Sequence, residues 1–354
     1  MYVSELSGAF APRPRDCERS ATRPRALCFG YLWRVEERED LLDAMIGRET
    51  SDRTDRILFS GLSAFPLTPS RDGEIAHDDL ARLVAAASTA GVDSIGALGS
   101  TGSYAYLERQ DRRAVARTAV HAAGRVPVIV GVGAISTSAV LRNVEDAASV
   151  GAAGVLLAPV SYQPLTNIEV FRLFADVTER FSVPVVVYDN VATTGFTFTT
   201  QLLGEIANLP SVVSIKLDTL PADPGEAAAQ IGQLRSLAPE SVSIGISGDA
   251  MSPRGIMAGC DVWYSVLGGL FPRTCVAIAE AARSGDADHA LSLTAELAPV
   301  WELFARFGSY RAIAAMATLV GELAEDAVYA PVLPLTGQAR EMVAAAVEAI
   351  GPRS

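Results

Sequence analysis

From Ile57 onward, short runs of apolar residues alternate with longer stretches of helical character. "RILFSGLSAFPLT" is followed by "DDLARLVAAASTAG" and then by "VDSIGALGS". The alternation continues through "VPVIVGVGA", "AGVLLAPV", "VPVVVYDN", "VVSIKL", "VSIGISGD" and "DVWYSVLGG". These short runs are apolar on both strand faces, as a parallel sheet covered by helices requires. Strand followed by helix, repeated, predicts α/β architecture.

Counting the runs narrows the choice. Their C-terminal ends are expected near Thr68, Gly99, Gly131, Pro159, Tyr188, Lys216, Gly248 and Gly268, so successive ends lie 20 to 32 residues apart. Eight units of this length predict a (β/α)8 TIM barrel, which takes about 250 residues. A doubly wound sheet would place a G-x-G-x-x-G phosphate loop after its first strand. Here that strand runs into "AFPLTPSRDG" instead. Beyond the eighth unit, "HALSLTAELAPVWELFARF" and "SYRAIAAMATLVGELA" exceed what the barrel needs and predict a C-terminal helical extension packed on it. The expected organisation is a catalytic barrel over 57–285 and C-terminal helices over 286–354. Residues 1–56 read as a loosely ordered N-terminal extension with no catalytic part, because "FAPRPRDCERSATRPRALC" lacks apolar periodicity. That segment has no apolar core of a secretory signal, and its 11 acidic residues against 10 Arg are unlike a transit peptide.

Charge and composition remove several function classes. A formal net charge of −12 argues against nucleic acid as a partner and against docking on an anionic membrane. No run of about 18 apolar residues predicts a membrane span. The predicted location is the cytoplasm. Cys17, Cys28, Cys260 and Cys275 form no C-x-x-C pair, and His77, His121 and His289 lie far apart, so no metal site is predicted. His77, in "IAHDDL", is expected to cap or decorate a helix start.

One residue stands apart. Of the 29 Lys plus Arg residues, a single one is lysine, Lys216 in "SVVSIKLDT". It ends the sixth run, and Tyr188 ends the fifth, so both should project from neighbouring strands at the barrel mouth, where this fold gathers its chemistry. Val212, Val213, Ile215 and Leu217 flank the lysine and should desolvate it, lowering its pKa. A free amine attacks a ketone to form a Schiff base; a guanidinium stays protonated and does not. Tyr188 one unit away is a candidate proton shuttle. A solvated lysine left by an arginine-favouring composition, and a tyrosine packed for its ring, are the competing readings. In "LGSTGS", residues 98–103, Gly99 and Gly102 permit a tight turn, and Ser100 and Thr101 offer hydroxyl and N–H donors. The loop suits a carboxylate, or is an ordinary turn.

Taken together these segments resemble the dihydrodipicolinate synthase and N-acetylneuraminate lyase family of Schiff-base, pyruvate-type aldolases. The resemblance runs from about 57 to 336. It rests on "AFPLTPSRDGEIAHDDLARLV", "LGSTG", "VPVIVGVGA", "YDNVATTG", "VVSIKL" and the closing "VLPL" in that order. It implies a (β/α)8 barrel with three C-terminal helices, assembled as a homotetramer or homodimer. By position, Lys216 is the imine-forming lysine and Tyr188 the proton relay. Ser100 and Thr101 hold the keto-acid carboxylate, and Thr101 joins the relay. Gly102, Thr193 and Ser247 complete the expected substrate contacts. No cofactor is expected, since the covalent imine on Lys216 supplies the carbonyl chemistry.

The departures fall on the second-substrate side. Dihydrodipicolinate synthases read Y-N-V-P-S-R-T-G, with an arginine for the aldehyde's carboxylate; "YDNVATTG" puts Thr193 there, and a threonine does not replace a bidentate guanidinium. The dihydrodipicolinate synthase reaction itself is therefore not expected. Ser103 replaces the usual glutamate of the loop, and Ser161 the tyrosine that crosses to a neighbouring subunit, with Tyr104, Tyr106 and Tyr162 left as candidates to restore it. The expected activity is a lyase or aldolase acting on pyruvate or a 2-keto-3-deoxy acid, with an aldehyde as the second small molecule. A dehydratase of keto-deoxy sugar acids by the same imine is the alternative, and a non-catalytic keto-acid-binding paralogue the alternative from another class.

Overall fold

The computed structural model describes residues 59–351. The expected N-terminal extension therefore lies outside the described residues, as do Cys17 and Cys28. Eight strands close into an all-parallel barrel: β1 Gly61–Ala64, β2 Ser94–Ala97, β3 Val128–Gly131, β4 Gly154–Leu157, β5 Val185–Tyr188, β6 Val212–Leu217, β7 Ser243–Ile246 and β8 Val262–Ser265. Each pairs with its neighbours in sequence, and β1 pairs with both β2 and β8, so no edge is left. The predicted (β/α)8 TIM barrel is the fold.

The two-faced apolar runs have a direct explanation. In β5, Val186 and Tyr188 face the barrel interior with Phe65, Ile129, Leu156, Val262 and Tyr264. Val185 and Val187 face the surrounding helices. Alternation with period two places both sets in apolar surroundings, and neither face meets water.

The covering helices are α1 His77–Ala90, α2 Arg109–Ala123, α3 Thr137–Ser149, α4 Asn167–Arg180, α5 Thr200–Ala207, α6 Pro224–Leu237, α7 Ser252–Met257 and α8 Pro272–Arg283. Their starts are encoded locally. Thr166 and Glu169 form a reciprocal capping box on α4, and the Asp223 side chain accepts from Glu226 N–H at the start of α6, with Pro224 following. Each such cap stabilises its helix by about 1 kcal/mol. α1 ends at Gly91, whose φ of 89° is the left-handed conformation of a helix stop. His77 is the first residue of α1 rather than its cap, and its Nδ1 lies 2.9 Å from Thr118 Oγ1.

Several strands stop earlier than the apolar runs suggest: β1 at Ala64 rather than Thr68, β2 at Ala97 rather than Gly99, β4 at Leu157 rather than Pro159, β7 at Ile246 rather than Gly248, and β8 at Ser265 rather than Gly268. β6 runs one residue past Lys216, and β3 and β5 end as expected. Hydrophobicity does not mark the end of a ladder. Beyond it the chain stays buried while turning over the mouth; the Phe65 N–H still donates to Ser265 O, and Leu67 and Thr68 stay buried.

After α8 come α9 Ala287–Ala295, α10 Ala298–Phe307, α11 Ser309–Leu319 and α12 Gly337–Ile350. These are four helices where the resemblance implied three. Pro299 in the first turn of α10 lacks the N–H a continuous helix would use, and α9 and α10 separate there. Among the described residues no helix is long and apolar enough to cross a membrane.

Candidate active site

Lys216 projects into the barrel mouth and is 2% exposed. Its strand places it there by alternation: Ile215 and Leu217 join the core under the helices, while Ser214 and Lys216 take the inner face. Three rings surround the amine. Nζ lies 3.9 Å from the ring centroid of Phe65, 4.3 Å from Tyr188 and 5.5 Å from Tyr264. Among the described residues no hydrogen bond or ion pair reaches Nζ. Burial lowers its pKa to about 7, opposed by the nearby carboxylates of Asp249 and then Asp218.

Phe65 reaches this position because two glycines leave room for its ring. A Cβ at Gly96 would stand 2.2 Å from Phe65 Cζ, and one at Gly99 would stand 2.6 Å from Cδ1. Below the amine, Tyr264 Oη lies 2.6 Å from Ser214 Oγ, and Ser243 Oγ donates to Ser214 Oγ at 2.6 Å. That hydroxyl chain satisfies the phenol at the barrel floor and holds its ring against the lysine.

Tyr188 is the register partner of Lys216 across β5 and β6. Asn190 Nδ2 donates to its oxygen at 2.6 Å, and Ser100 Oγ lies 3.3 Å away. Because the amide fills one lone pair, the phenol proton is left for Ser100 or a bound ligand. Burial raises the Tyr188 pKa, the two hydrogen bonds counter it, and Asp218 and Asp189 add to the rise.

The loop after β2 carries Ser100 to Tyr188, with Thr101 beside it. The Thr101 hydroxyl is buried and has no hydrogen-bond partner. An unpaired buried hydroxyl costs about 1–3 kcal/mol. Gly102 has a scaffolding part: its carbonyl accepts from Thr68 Oγ1 at 2.7 Å, and a Cβ there would press on the Leu98 and Gly99 backbone at 2.9 Å. Ser103 adopts φ 62° and pairs its hydroxyl with Tyr310 Oη at 2.8 Å, so the residue that replaces the glutamate ties the loop to α11.

The other expected contacts are more dispersed. Thr193 is exposed on a short helical turn, Val191–Thr194, and its hydroxyl donates back to Asn190 O. Ser247 follows β7, and its N–H donates to Leu217 O, which sets it beside the end of β6. Of the remaining tyrosines, Tyr104 is buried, Tyr106 stacks on Tyr310, and Tyr162 is 84% exposed.

Sequence reasoning passed over Asn190, Asp189, Asp218, Asp249, Phe65 and Tyr264. Asn190 and Asp189 were within reach, since "YDN" adjoins the tyrosine. Tyr264 shares a strand face with Val262, but nothing local distinguishes it from a core ring. Asp249 is fully engaged: it accepts from Trp263 Nε1 at 2.8 Å and from Leu267 N at 2.9 Å. Burial nevertheless raises its pKa to about 6. Among the described residues no group of three or more His, Cys, Asp or Glu side chains is placed to hold a metal ion.

An amine kept partly neutral, a phenol beside it and a loop with a spare hydroxyl suit covalent chemistry on a small carbonyl compound. The profile of the Dihydrodipicolinate synthetase family matches residues 58–350. A 4-hydroxy-tetrahydrodipicolinate synthase of Methylococcus capsulatus is 31% identical over 224 residues, 63% of this chain and 74% of its own. An uncharacterized DapA-like lyase of Halobacterium salinarum is 30% identical over 230 residues, 65% of this chain and 72% of its own. Among solved structures, a dihydrodipicolinate synthase of Agrobacterium tumefaciens is 40% identical with a TM-score of 0.79, covering 83% of this chain and 99% of that one.

Proposed function

The chain belongs to the dihydrodipicolinate synthetase family, and from that premise we propose that it is a Schiff-base lyase that captures pyruvate or a 2-keto-3-deoxy acid on Lys216. The observation that carries this reading is the buried, unpaired amine of Lys216 beside the Tyr188 phenol, with its pKa lowered to about 7.

In the cleavage direction, Nζ adds to the C2 carbonyl of a 4-hydroxy-2-oxo acid. Proton transfers expel water and leave a protonated imine. In this reading Tyr188 carries those protons by way of Ser100, whose Oγ lies 3.3 Å from its oxygen. Removal of the C4 hydroxyl proton then lets the C3–C4 bond break. Its electron pair moves into the imine to form an enamine, and an aldehyde departs. Protonation at C3 and hydrolysis release pyruvate and return the free amine. Synthesis runs the same steps backward. The substrate carboxylate fits the Ser100–Thr101 loop, where the Thr101 hydroxyl lacks a partner. The covalent imine replaces any organic cofactor.

A homodimer or homotetramer belongs to the same reading. Ile135, Tyr162 and Ile168 are 71%, 84% and 60% exposed on the segments that follow β3 and β4, and such an apolar surface suits a second copy of the chain.

The test is reduction with borohydride in the presence of pyruvate, followed by peptide mapping. The expected result is a mass gain on the peptide containing Lys216 and none in Lys216→Arg, which keeps the charge and removes the nucleophile. A folded protein that traps none of several small 2-oxo acids at Lys216 would overturn the proposal.

A further inference from the structure

We propose that Tyr310, on α11 of the C-terminal helices, is a positioning residue for catalysis: its hydroxyl, acting through Ser103, fixes the loop that sets Ser100 against Tyr188. This rests on the imine reading and extends the machinery from the barrel to the helices packed on it.

Neither candidate hydroxyl of the loop anchors itself. Ser100 Oγ lies 3.3 Å from Tyr188 Oη, a long contact for two hydroxyls, and Thr101 Oγ1 has no hydrogen-bond partner among the described residues. Their neighbours set their positions. Ser103 closes the turn, its N–H donating to Ser100 O at 3.3 Å and its carbonyl accepting from Tyr106 N–H at 2.9 Å. It does so at φ 62°, and Leu98, at the other end of the loop, has φ 57°. Left-handed backbone at two non-glycine residues persists only where surrounding contacts hold it. Two side-chain bonds supply that hold. The first comes from the segment after β1, where Thr68 Oγ1 donates to Gly102 O at 2.7 Å. The second is the Ser103–Tyr310 pair at 2.8 Å, and it comes from outside the barrel.

Tyr310 is itself held in place. Tyr329 N–H donates to its Oη at 3.0 Å, which leaves the phenol proton for Ser103 Oγ. Its ring stacks on Tyr106, with centroids 6.4 Å apart and planes 11° from parallel, so α11 meets the loop at residues 103 and 106. Tyr329 lies in the segment 320–336, which Asp326 ties to the helices on both sides. Asp326 accepts from Thr318 Oγ1 on α11 and from Arg340 Nη1 on α12. Packing of α11 on the barrel needs the Tyr310 ring and not its hydroxyl. Among the described residues the side-chain bond of that hydroxyl goes to the loop. A displacement of about 1 Å at a group that moves protons costs about a hundredfold in rate.

The experiment follows pyruvate-dependent borohydride labelling of Lys216 over time in the full chain, in Tyr310→Phe, in Ser103→Ala and in the double variant. Tyr310→Phe keeps the ring and its stack and removes the hydroxyl. At saturating pyruvate the labelling rate should fall about tenfold to a hundredfold in each single variant, with the final extent of labelling unchanged. The double variant should be no slower than the slower single one, because both substitutions remove the same bond. A purely structural role gives the opposite split: a smaller labelled fraction, matching the fraction unfolded in a urea titration, at an unchanged rate. That result would overturn the proposal, as would wild-type rates in both single variants or losses that multiply in the double one. If Tyr310→Phe does not fold, Ser103→Ala removes the same bond from the loop side and decides. A wild type that is never labelled would sink the imine reading, and this proposal with it.

Discussion

Tyr188 and Lys216 are register partners on adjacent parallel strands, with the amine nitrogen 4.3 Å from the centroid of the phenol ring. The contact is face-on to the ring rather than to its hydroxyl. It leaves the phenol oxygen to Asn190 and Ser100, and the amine has no hydrogen-bond partner among the described residues.

The lowered pKa of Lys216 makes capture of a 2-oxo acid pH-dependent with a defined sign. Below about 7 the amine is protonated, and the rate of trapping should fall about tenfold per pH unit. Above about 7 it should level off. Initial rates of pyruvate-dependent borohydride labelling between pH 5.5 and 9 test this. A log-linear climb continuing to pH 9 would mean an ordinary, solvated lysine.

The same burial costs stability. Lys216 binds its proton less tightly in the folded chain than in the unfolded one, where the pKa is near 10.5. Between about pH 7 and 10.5 the unfolded state holds more protons, so folding stability rises with pH across that window. Below it the full penalty applies. Lys216→Met should therefore unfold at higher urea than the wild type at pH 7, by about 1–3 kcal/mol, with the gap closing toward pH 10. A less stable variant would show that the amine is held by favourable contacts instead.

Tyr188→Phe keeps the ring and removes the proton carrier. Turnover should fall by about 10²–10⁴-fold, the usual worth of a positioned acid–base group. The Asn190 amide also loses its acceptor, at about 1–3 kcal/mol in urea unfolding. Borohydride should still trap pyruvate on Lys216, more slowly. A kcat within threefold of the wild type would remove Tyr188 from the relay.

Gly96 is needed for its missing side chain. Alanine there sets a Cβ 2.2 Å from Phe65 Cζ, and the ring that lines the amine has to move. Gly96→Ala should cost about 1–3 kcal/mol through overpacking. Adding Phe65→Leu should recover part of that loss, so the two effects in urea unfolding should fall short of their sum. Strict additivity would show that the ring and the glycine are not coupled.

The amino-acid sequence by itself determined the barrel, because strands buried on both faces and spaced by covering helices are a local, repeating pattern. It also singled out Lys216 as the lone amine and put Tyr188 one unit away. Alternation alone sends both to the inner face. Tertiary structure alone decided what surrounds them. Phe65 and Tyr264 come from β-strand ends on opposite sides of Lys216 in the chain, and they meet at the amine only because β1 pairs with β8 and closes the barrel. The link from Ser100 to Tyr188 spans 88 residues, and the pairing of Tyr188 with Lys216 depends on a strand register that no local spacing specifies. Periodicity reports which face a residue takes. The pKa of a buried group depends on which distant side chains share that face, and closure of the sheet settles that.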